Sequence, residues 1–303
     1  MKLIHFLFIT IAIIVVSCSQ SPEELYKSGK AKYDIHSYPD AMKDFITLLN
    51  IDSTHAEANY YLGLIDMSYE NYKNAIKFLT RTIKTDPSYV DAYYNKALCY
   101  DKLQDTIMAM ADYSKTIELN PRHPEAFYKR GMIKSLLKDY EGALRDLNSS
   151  IEVNPSSYSA FESRSLLKVI LLDFEGALND INTAIKLFPD YSMYYLERGE
   201  ILSALTKYDE ALNDFSKSIE LNPKSAEAFS ARGATKLLLS DPVGANLDFT
   251  KSIELDPSFA FSYYGRGMVK INVLLTEDGC ADLKKAEELG EPLATVALRK
   301  YCK

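Results

Sequence analysis

Bulky apolar residues and small residues recur along this chain with one fixed spacing of 34 positions, as from Phe45 to Leu79. The bulky column comprises Phe45, Leu79, Tyr113, Leu147, Ile181, Phe215, Phe249 and Leu283. The small column, earlier in each period, comprises Gly29, Gly63, Ala97, Gly131, Ser165, Gly199, Gly233 and Gly267. Small side chains allow two helix backbones to approach, and bulky ones fill the space between them. The pattern therefore predicts two packed helices in every period.

Prolines keep the same interval near the end of each period. They are Pro87, Pro121, Pro155, Pro189, Pro223 and Pro257. One full period carries Tyr195, Gly199, Tyr208, Ala211, Phe215, Ser218 and Pro223, and this arrangement resembles the tetratricopeptide repeat. The resemblance implies an all-α fold, a right-handed α-solenoid of eight helix–turn–helix units with a C-terminal capping helix over residues 292–303. The units span residues 22–291 and begin at residues 22, 56, 90, 124, 158, 192, 226 and 260.

The first twenty residues have the pattern of a secretory signal. Lys2 is followed by an apolar run from Leu3 to Val16, and a small residue precedes Cys18. The segment 15–18 is similar to the bacterial lipobox, which implies removal of residues 1–17 and acylation of Cys18, as in palmitate-bearing lipoproteins. An uncleaved apolar anchor and a eukaryotic secretory signal are the alternatives. Residues 18–21 then form a short tether, so we expect the first repeat to lie at a membrane surface.

The resemblance to lipoprotein signals also implies a location. We expect a lipid-anchored protein of the cell envelope, attached through Cys18. The residue after this cysteine is Ser19 and not an aspartate, which resembles the signals that send lipoproteins to the outer membrane. There the protein would face the periplasm or the cell surface.

Bases in the predicted first helices and aspartates in the second helices change together from unit to unit. The pairs are Arg130 with Asp146, Arg164 with Asp180, Arg198 with Asp214, Arg232 with Asp248 and Arg266 with Asp282, preceded by Lys96 with Asp112. The second unit has Leu62 and Phe78 in these positions, and the first has Ser28 with Asp44. We interpret the two columns as structural ion pairs that face each other. The alternative is a row of arginines that binds an anion.

In tetratricopeptide proteins the first helices line a concave groove, so the resemblance implies a binding surface there. It would present Tyr26, Tyr60, Tyr94, Tyr128, Tyr264, Leu64, Leu98, Met132 and Leu166. Aromatic side chains give a large contact area at low entropy cost, which suits a peptide or helix ligand. The alternative is that these residues pack between neighbouring units. The family's carboxylate clamp is absent and acids such as Glu57 and Asp91 line the rim, which favours a partner with apolar anchors and some basic character.

The cysteines suggest one covalent link. Cys280 and Cys302 are equally distant in sequence from a turn at Glu291, so two antiparallel helices would bring them to the same height. A disulfide is predicted there in an oxidising compartment, with two free thiols as the alternative. Cys99 lies in a helix interior and is interpreted as an ordinary buried thiol.

No arrangement of residues typical of catalysis is found in the sequence. The chain after residue 17 has three histidines and lacks a Cys-x-x-Cys motif, a phosphate loop and a nucleophile elbow. We therefore predict no enzymatic activity, no metal and no cofactor. The net charge of −7, with acids and bases interspersed, disfavours binding to nucleic acid.

These features favour a membrane-anchored scaffold for protein–protein interaction in a bacterial cell envelope, with a protein or peptide bound in the concave groove. A structural or assembly subunit of a multiprotein envelope complex is the first alternative. A factor associated with peptidoglycan or carbohydrate is the second.

Overall fold

The computed structural model describes residues 20–302, and the regular structure within that range is entirely α-helical. The helices are α1 (Pro22–Asp34), α2 (Tyr38–Ile51), α3 (Ala56–Ser68), α4 (Tyr72–Thr85), α5 (Val90–Lys102), α6 (Thr106–Leu119), α7 (Pro124–Leu136), α8 (Tyr140–Val153), α9 (Tyr158–Ile170), α10 (Phe174–Leu187), α11 (Ser192–Ala204), α12 (Tyr208–Leu221), α13 (Ala226–Leu238), α14 (Pro242–Leu255), α15 (Ala260–Asn272), α16 (Thr276–Glu288) and α17 (Pro292–Tyr301). They pack in consecutive pairs, with α17 against α16, so the all-α repeat fold with a final helix is confirmed. The predicted signal segment 1–17 and the predicted lipid site Cys18 lie outside the described residues.

A tight turn joins the two helices of each pair. One residue in every such turn has a positive φ between 57° and 64°, at His36, Glu70, Gln104, Lys138, Leu172, Thr206, Ser240 and Leu274. The backbone N–H after the turn residue often reaches back to the preceding helix, as Ser37 N does to the Lys32 carbonyl at 2.9 Å. The turn thus reverses the chain and satisfies backbone groups at the end of the first helix.

Small residues set the distance between paired helices. A Cβ atom added to Gly199 on α11 would lie 2.6 Å from Cε1 of Phe215 on α12, well inside van der Waals contact. Phe215 itself is buried, at 1% exposure. The same relation holds between Gly29 and Phe45, where the Cβ would lie 2.8 Å from the ring. Glycine at these positions is required because the aromatic ring occupies the space of its missing side chain.

The chain divides into two compact units, Met1–Pro121 and Arg122–Lys303. In the first unit, α1 to α6 enclose cores centred on Phe45 and Leu79. In the second, α7 to α17 enclose cores centred on Leu147, Ile181, Phe215 and Phe249. Successive first helices contact one another in each unit, as α1 and α3 do. None of the helices within residues 20–302 combines the length and hydropathy needed to cross a bilayer.

Candidate functional site

The first-helix surface of the first unit carries the tyrosines Tyr26, Tyr60 and Tyr94, each half-buried. Tyr26 stacks on His55 with ring centroids 5.3 Å apart, and Tyr60 lies 4.8 Å from Tyr89. The amide of Asn95 donates to the Tyr60 hydroxyl at 3.0 Å. Burial raises the pKa of Tyr60, with a further contribution from the nearby Asp91 carboxylate.

These tyrosines therefore take part both in packing and in the surface. Tyr94 contacts the buried ring of Tyr113 at 5.9 Å, while Leu64 and Leu98 lie half-buried one helical turn further along α3 and α5. Exposed carboxylates of Glu57 and Asp91 stand at the start of the same helices. The surface is aromatic and aliphatic in its centre and acidic at its edge.

The second unit presents the remaining predicted residues on its own first helices. Tyr128 packs partly against the core around Leu147, and Tyr264 lies 6.0 Å from the ring of Phe261. Met132 and Leu166 are more open, at 37% and 44% exposure. An exposed apolar side chain on a folded helix is available for contact with a ligand.

An acidic cluster lies on the first helices α9, α11 and α13 of the second unit. The Tyr194 hydroxyl donates to Glu162 Oε2 at 3.3 Å. Burial raises the pKa of Glu197 to about 8, and repulsion from Glu162, Glu200 and Glu227 adds to the effect. One carboxylate oxygen of Glu197 is buried without a hydrogen-bond partner among the described residues. The sequence reasoning missed Glu197, because its position next to the base Arg198 suggests a solvated charge.

The bases and aspartates of the two columns form an ion-pair ladder. Nη2 of each arginine lies 2.6–2.8 Å from Oδ1 of its aspartate in Arg130–Asp146, Arg164–Asp180, Arg198–Asp214, Arg232–Asp248 and Arg266–Asp282. Each pair has a second bond from Nε, as from Arg164 to Asp180 Oδ2 at 2.9 Å. The guanidinium also stacks over the aromatic residue three positions earlier, as Arg164 does over Phe161 at 5.5 Å. The pairs therefore link helices within a repeat rather than presenting free arginines to an anion.

The ladder arginines also join neighbouring repeats. Nη1 of Arg164 donates to Asn148 Oδ1 at 2.6 Å, and Nη1 of Arg198 donates to Asn182 at 2.8 Å. Asn148 and Asn182 belong to the second helix of the preceding repeat. Arg164 and Arg198 therefore each bridge two repeats through one planar group with several donors.

Lysines form a third column that the sequence reasoning missed. Lys134, Lys168, Lys236 and Lys270 each lie 2.7–2.8 Å from the ladder aspartate of their repeat. In the first repeat, Lys32 reaches Asp44 at 2.6 Å, which supplies the cation that Ser28 cannot. The available signal was a lysine twelve residues before five of the seven aspartates, but a lysine in the last turn of a helix is usually solvated.

The third repeat has the weakest pair of the ladder. Lys96 Nζ lies 3.2 Å from Asp112 Oδ1, and Asp112 Oδ2 is buried without a hydrogen-bond partner among residues 20–302. Burial raises the pKa of Asp112, against the opposing effect of Lys96. A lysine gives one point contact where the arginines give two parallel bonds.

The three cysteines within residues 20–302 form one disulfide and leave one free thiol. Cys280 on α16 and Cys302 after α17 are joined by a disulfide, with Cα atoms 5.7 Å apart. Cys99 is buried and free, and burial raises the pKa of its thiol to about 12. Its thiol is therefore unreactive at neutral pH. Across the described range, 20–302, no cluster of three or more His, Cys, Asp and Glu side chains is placed to hold a metal ion.

Comparison with known families finds tetratricopeptide repeats in the chain. Residues 90–123 match one model of the tetratricopeptide repeat, and residues 124–157 and 194–225 match another. Repeats of this kind support a role as a scaffold for protein–protein interaction. A search of curated proteins finds no match.

Solved structures of tetratricopeptide proteins share the fold. A tetratricopeptide repeat protein from Parabacteroides merdae is 22% identical, covers 83% of this chain and 99% of its own, and superposes with a TM-score of 0.57. YrrB, described as a repeat protein with an unusual peptide-binding site, is 22% identical over 61% of this chain and 95% of its own, with a TM-score of 0.56. Pseudomonas aeruginosa pilF is 19% identical over 68% and 94%, with a TM-score of 0.59.

Proposed function

We propose that this protein is a lipid-anchored scaffold of a bacterial cell envelope that binds a peptide segment of a partner protein on its first-helix surface. The observation that carries the proposal is the row of half-buried tyrosines on successive first helices, Tyr26, Tyr60 and Tyr94. Their rings are fixed by packing on one side and open on the other, so that a ligand meets a preorganised surface.

The charge around this row defines the partner. Glu57 and Asp91 are exposed beside the tyrosines of the first unit, and Glu162 and Glu227 stand on the first helices of the second. An acidic ligand would be repelled at either place. The proposed ligand is a segment with aromatic or aliphatic anchors and lysine or arginine between them. YrrB, which shares this fold, is described as having a peptide-binding site, and this supports a peptide as the ligand.

The anchor is proposed from residues 1–18 of the sequence alone. Acylation of Cys18 would hold the first repeat near a membrane, since only residues 19–21 separate it from α1. Labelled palmitate supplied to growing bacteria should be incorporated into the full chain and lost in Cys18→Ser. Incorporation into Cys18→Ser would contradict this part of the proposal.

Crosslinking tests the binding surface. A photoreactive phenylalanine analogue placed at Tyr94 should crosslink the partner, and the same analogue at Lys43, exposed on the second helix α2, serves as the control. Mass spectrometry then maps the attached segment, and the corresponding synthetic peptide is titrated against the full chain by calorimetry. Equal crosslinking from the two positions, or an attached segment that is acidic and without apolar side chains, would refute the proposal.

A further inference from the structure

The second repeat breaks the ion-pair ladder at three positions at once. Elsewhere, Arg164 binds Asp180 of its own repeat and Asn148 of the preceding one. The equivalent positions, three repeat lengths earlier, hold Leu62, Phe78 and Ile46. Each polar member of the bridge is thus replaced by an apolar side chain, although the second repeat has the same two-helix structure as the others.

A cavity lies where the bridge would have been. The second-repeat pocket, between α2, α3 and α4, has a volume of about 730 Å³ and is lined by Ile46, Leu49, Leu62 and Phe78. A smaller cavity of about 300 Å³ lies beside the Arg198–Asp214 pair, and it shares with the second-repeat pocket only the positions of Ile46, Leu62 and Phe78. Leu62 is fully buried at the base of the second-repeat pocket, and Ile46 is 46% exposed at its mouth. The apolar replacements therefore leave an open apolar cleft between the helices, where the other repeats have a polar bridge.

The rim of the pocket carries two cations, Arg81 and Lys84. At the same two positions of other repeats, a lysine and a glutamate neutralise each other, as in Lys115–Glu118 at 2.6 Å and Lys217–Glu220 at 2.7 Å. Here Lys84 replaces the glutamate, and Arg81 stacks over the Phe78 ring at 5.4 Å.

The whole of α4 is basic within an acidic chain. It carries Lys73, Lys77, Arg81 and Lys84 and no acidic residue, and all four side chains are exposed. Within residues 20–302 none of the four forms an ion pair with a carboxylate. The rim thus offers positive charge that the protein itself does not neutralise.

We propose that the second-repeat pocket binds an acidic peptide segment of a partner protein, with one bulky apolar side chain, such as leucine or phenylalanine, next to one or two carboxylates. The apolar side chain occupies the cleft over Leu62 and Phe78, and the carboxylates face Arg81 and Lys84. The positive charge of Arg81 and Lys84 favours an anionic ligand, and the apolar cleft left by the missing bridge favours an apolar anchor.

The lining favours a peptide over an anionic membrane. Asn50, Ser53 and Thr85 stand around the pocket beside the apolar side chains. Their hydrogen-bonding groups match those of a peptide backbone, whereas a lipid chain has none. The site is also recessed, while a membrane is contacted by protruding apolar groups. This site is separate from the first-helix surface, since it is built mainly from second helices.

Fluorescence anisotropy of labelled peptides tests the proposal on the full chain in a neutral detergent. The probe is a ten-residue peptide with Leu-Phe-Asp-Glu at its centre among glycines and serines. Peptides with Leu-Phe-Asn-Gln or Ala-Ala-Asp-Glu at the centre isolate the charge and the anchor. We expect each control peptide to bind at least about tenfold more weakly than the probe.

The chain supplies its own matched substitutions. The double variant Arg81→Thr with Lys84→Asn carries the residues of the first repeat, Thr47 and Asn50, and changes only exposed positions. We expect about tenfold weaker binding of the probe. The triple variant Ile46→Asn, Leu62→Arg and Phe78→Asp installs the bridge of the other repeats and should abolish binding, with folding checked by circular dichroism. Lys217→Thr, the same position in the sixth repeat, should leave binding unchanged.

Competition with dihexanoyl phosphatidylglycerol separates a peptide site from a lipid site. Poor competition together with the losses above supports the proposal. Displacement of the probe at low lipid concentration, with the same dependence on Arg81 and Lys84, would overturn it in favour of lipid. The proposal is also overturned if the probe binds the rim double variant as well as it binds the natural chain, or does not bind at millimolar concentration.

Discussion

Arg198→Ala tests whether the ion-pair ladder stabilises the repeats. Arg198 donates to both carboxylate oxygens of Asp214, at 2.7 and 2.6 Å, and to Asn182 of the preceding repeat at 2.8 Å. Asp214 is 5% exposed, and the position that holds a ladder lysine in other repeats is Leu202 here. Removal of the guanidinium therefore leaves a buried carboxylate without any cation.

The magnitude follows from this isolation. Breaking a buried ion pair by removing one partner destabilises a protein by about 3–5 kcal/mol. The side chain of Arg198 is 25% exposed, so we expect a value near the lower end, about 3 kcal/mol. Arg164→Ala is the matched control, because Asp180 retains Lys168 at 2.8 Å. Arg164→Ala should lower the free energy of unfolding by about 1–2 kcal/mol, because Asp180 loses hydrogen bonds to the guanidinium but keeps another partner.

Hydrogen exchange is the suitable assay, because stacked repeats need not unfold as a single two-state unit. The exchange of amides in α11 and α12 gives the local free energy of opening around Arg198, and that of α9 and α10 gives it around Arg164. Urea unfolding followed by circular dichroism supplies the global comparison. Equal losses in the two variants, or unchanged protection in Arg198→Ala, would refute the structural role of the ladder.

Three further predictions concern neighbouring features. Lys96→Arg should stabilise the third repeat by about 1 kcal/mol, because a guanidinium can satisfy the unpaired Asp112 Oδ2, and urea unfolding measures the gain. Glu197→Gln should raise the melting temperature at pH 8 but not at pH 4. The folded pKa near 8 exceeds the ordinary value of 4.5, so stability is complete below pH 4.5 and is lost as the pH rises to 8; Glu254→Gln, exposed on α14, should show no such difference. Cys280→Ser should lower the stability of α16 and α17 by about 3 kcal/mol, as expected for a disulfide that closes a loop of 22 residues. In thermal unfolding, a reductant should lower the melting temperature of the natural chain but not that of the variant.

The paired helices could be predicted because their determinants are local and repeated. Gly199 and Phe215 illustrate this, since a missing side chain and a ring in fixed register specify one close helix contact. The spacing of the bases and aspartates likewise predicts which side chains face each other. Repetition helps because each repeat is an independent instance of the same physical constraint.

The second-repeat pocket could not be predicted in the same way. The sequence shows that Leu62 and Phe78 replace a polar pair. Two apolar residues at these positions would ordinarily be expected to pack together and fill the space that the bridge occupies in other repeats. Whether they do depends on the position of α2 relative to α4, which is fixed by the core around Phe45 rather than by the local sequence. The raised pKa of Glu197 could not be predicted locally either, because two of the three carboxylates that repel it, Glu162 and Glu227, belong to the other helices α9 and α13.

Helix α3 separates two surfaces of opposite charge in the first unit. Tyr60 and Leu64 face the first-helix surface, while Leu62 forms the base of the second-repeat pocket. Two positions along a helix correspond to a rotation of about 200°, so Leu62 points to the opposite side of α3 from Tyr60 and Leu64. Glu57 and Asp91 accompany the tyrosines, whereas Arg81 and Lys84 flank the pocket.

A single partner segment of uniform charge therefore cannot suit both surfaces. The repeat should instead accept a basic apolar segment on one side and an acidic apolar segment on the other, with little competition between them because the two contacts share no side chain. Salt should weaken both, since exposed charges are screened within a Debye length of about 10 Å at 0.1 M. Saturation with the acidic probe that leaves the affinity for a basic peptide unchanged would establish this independence, whereas mutual displacement would place both ligands on one surface.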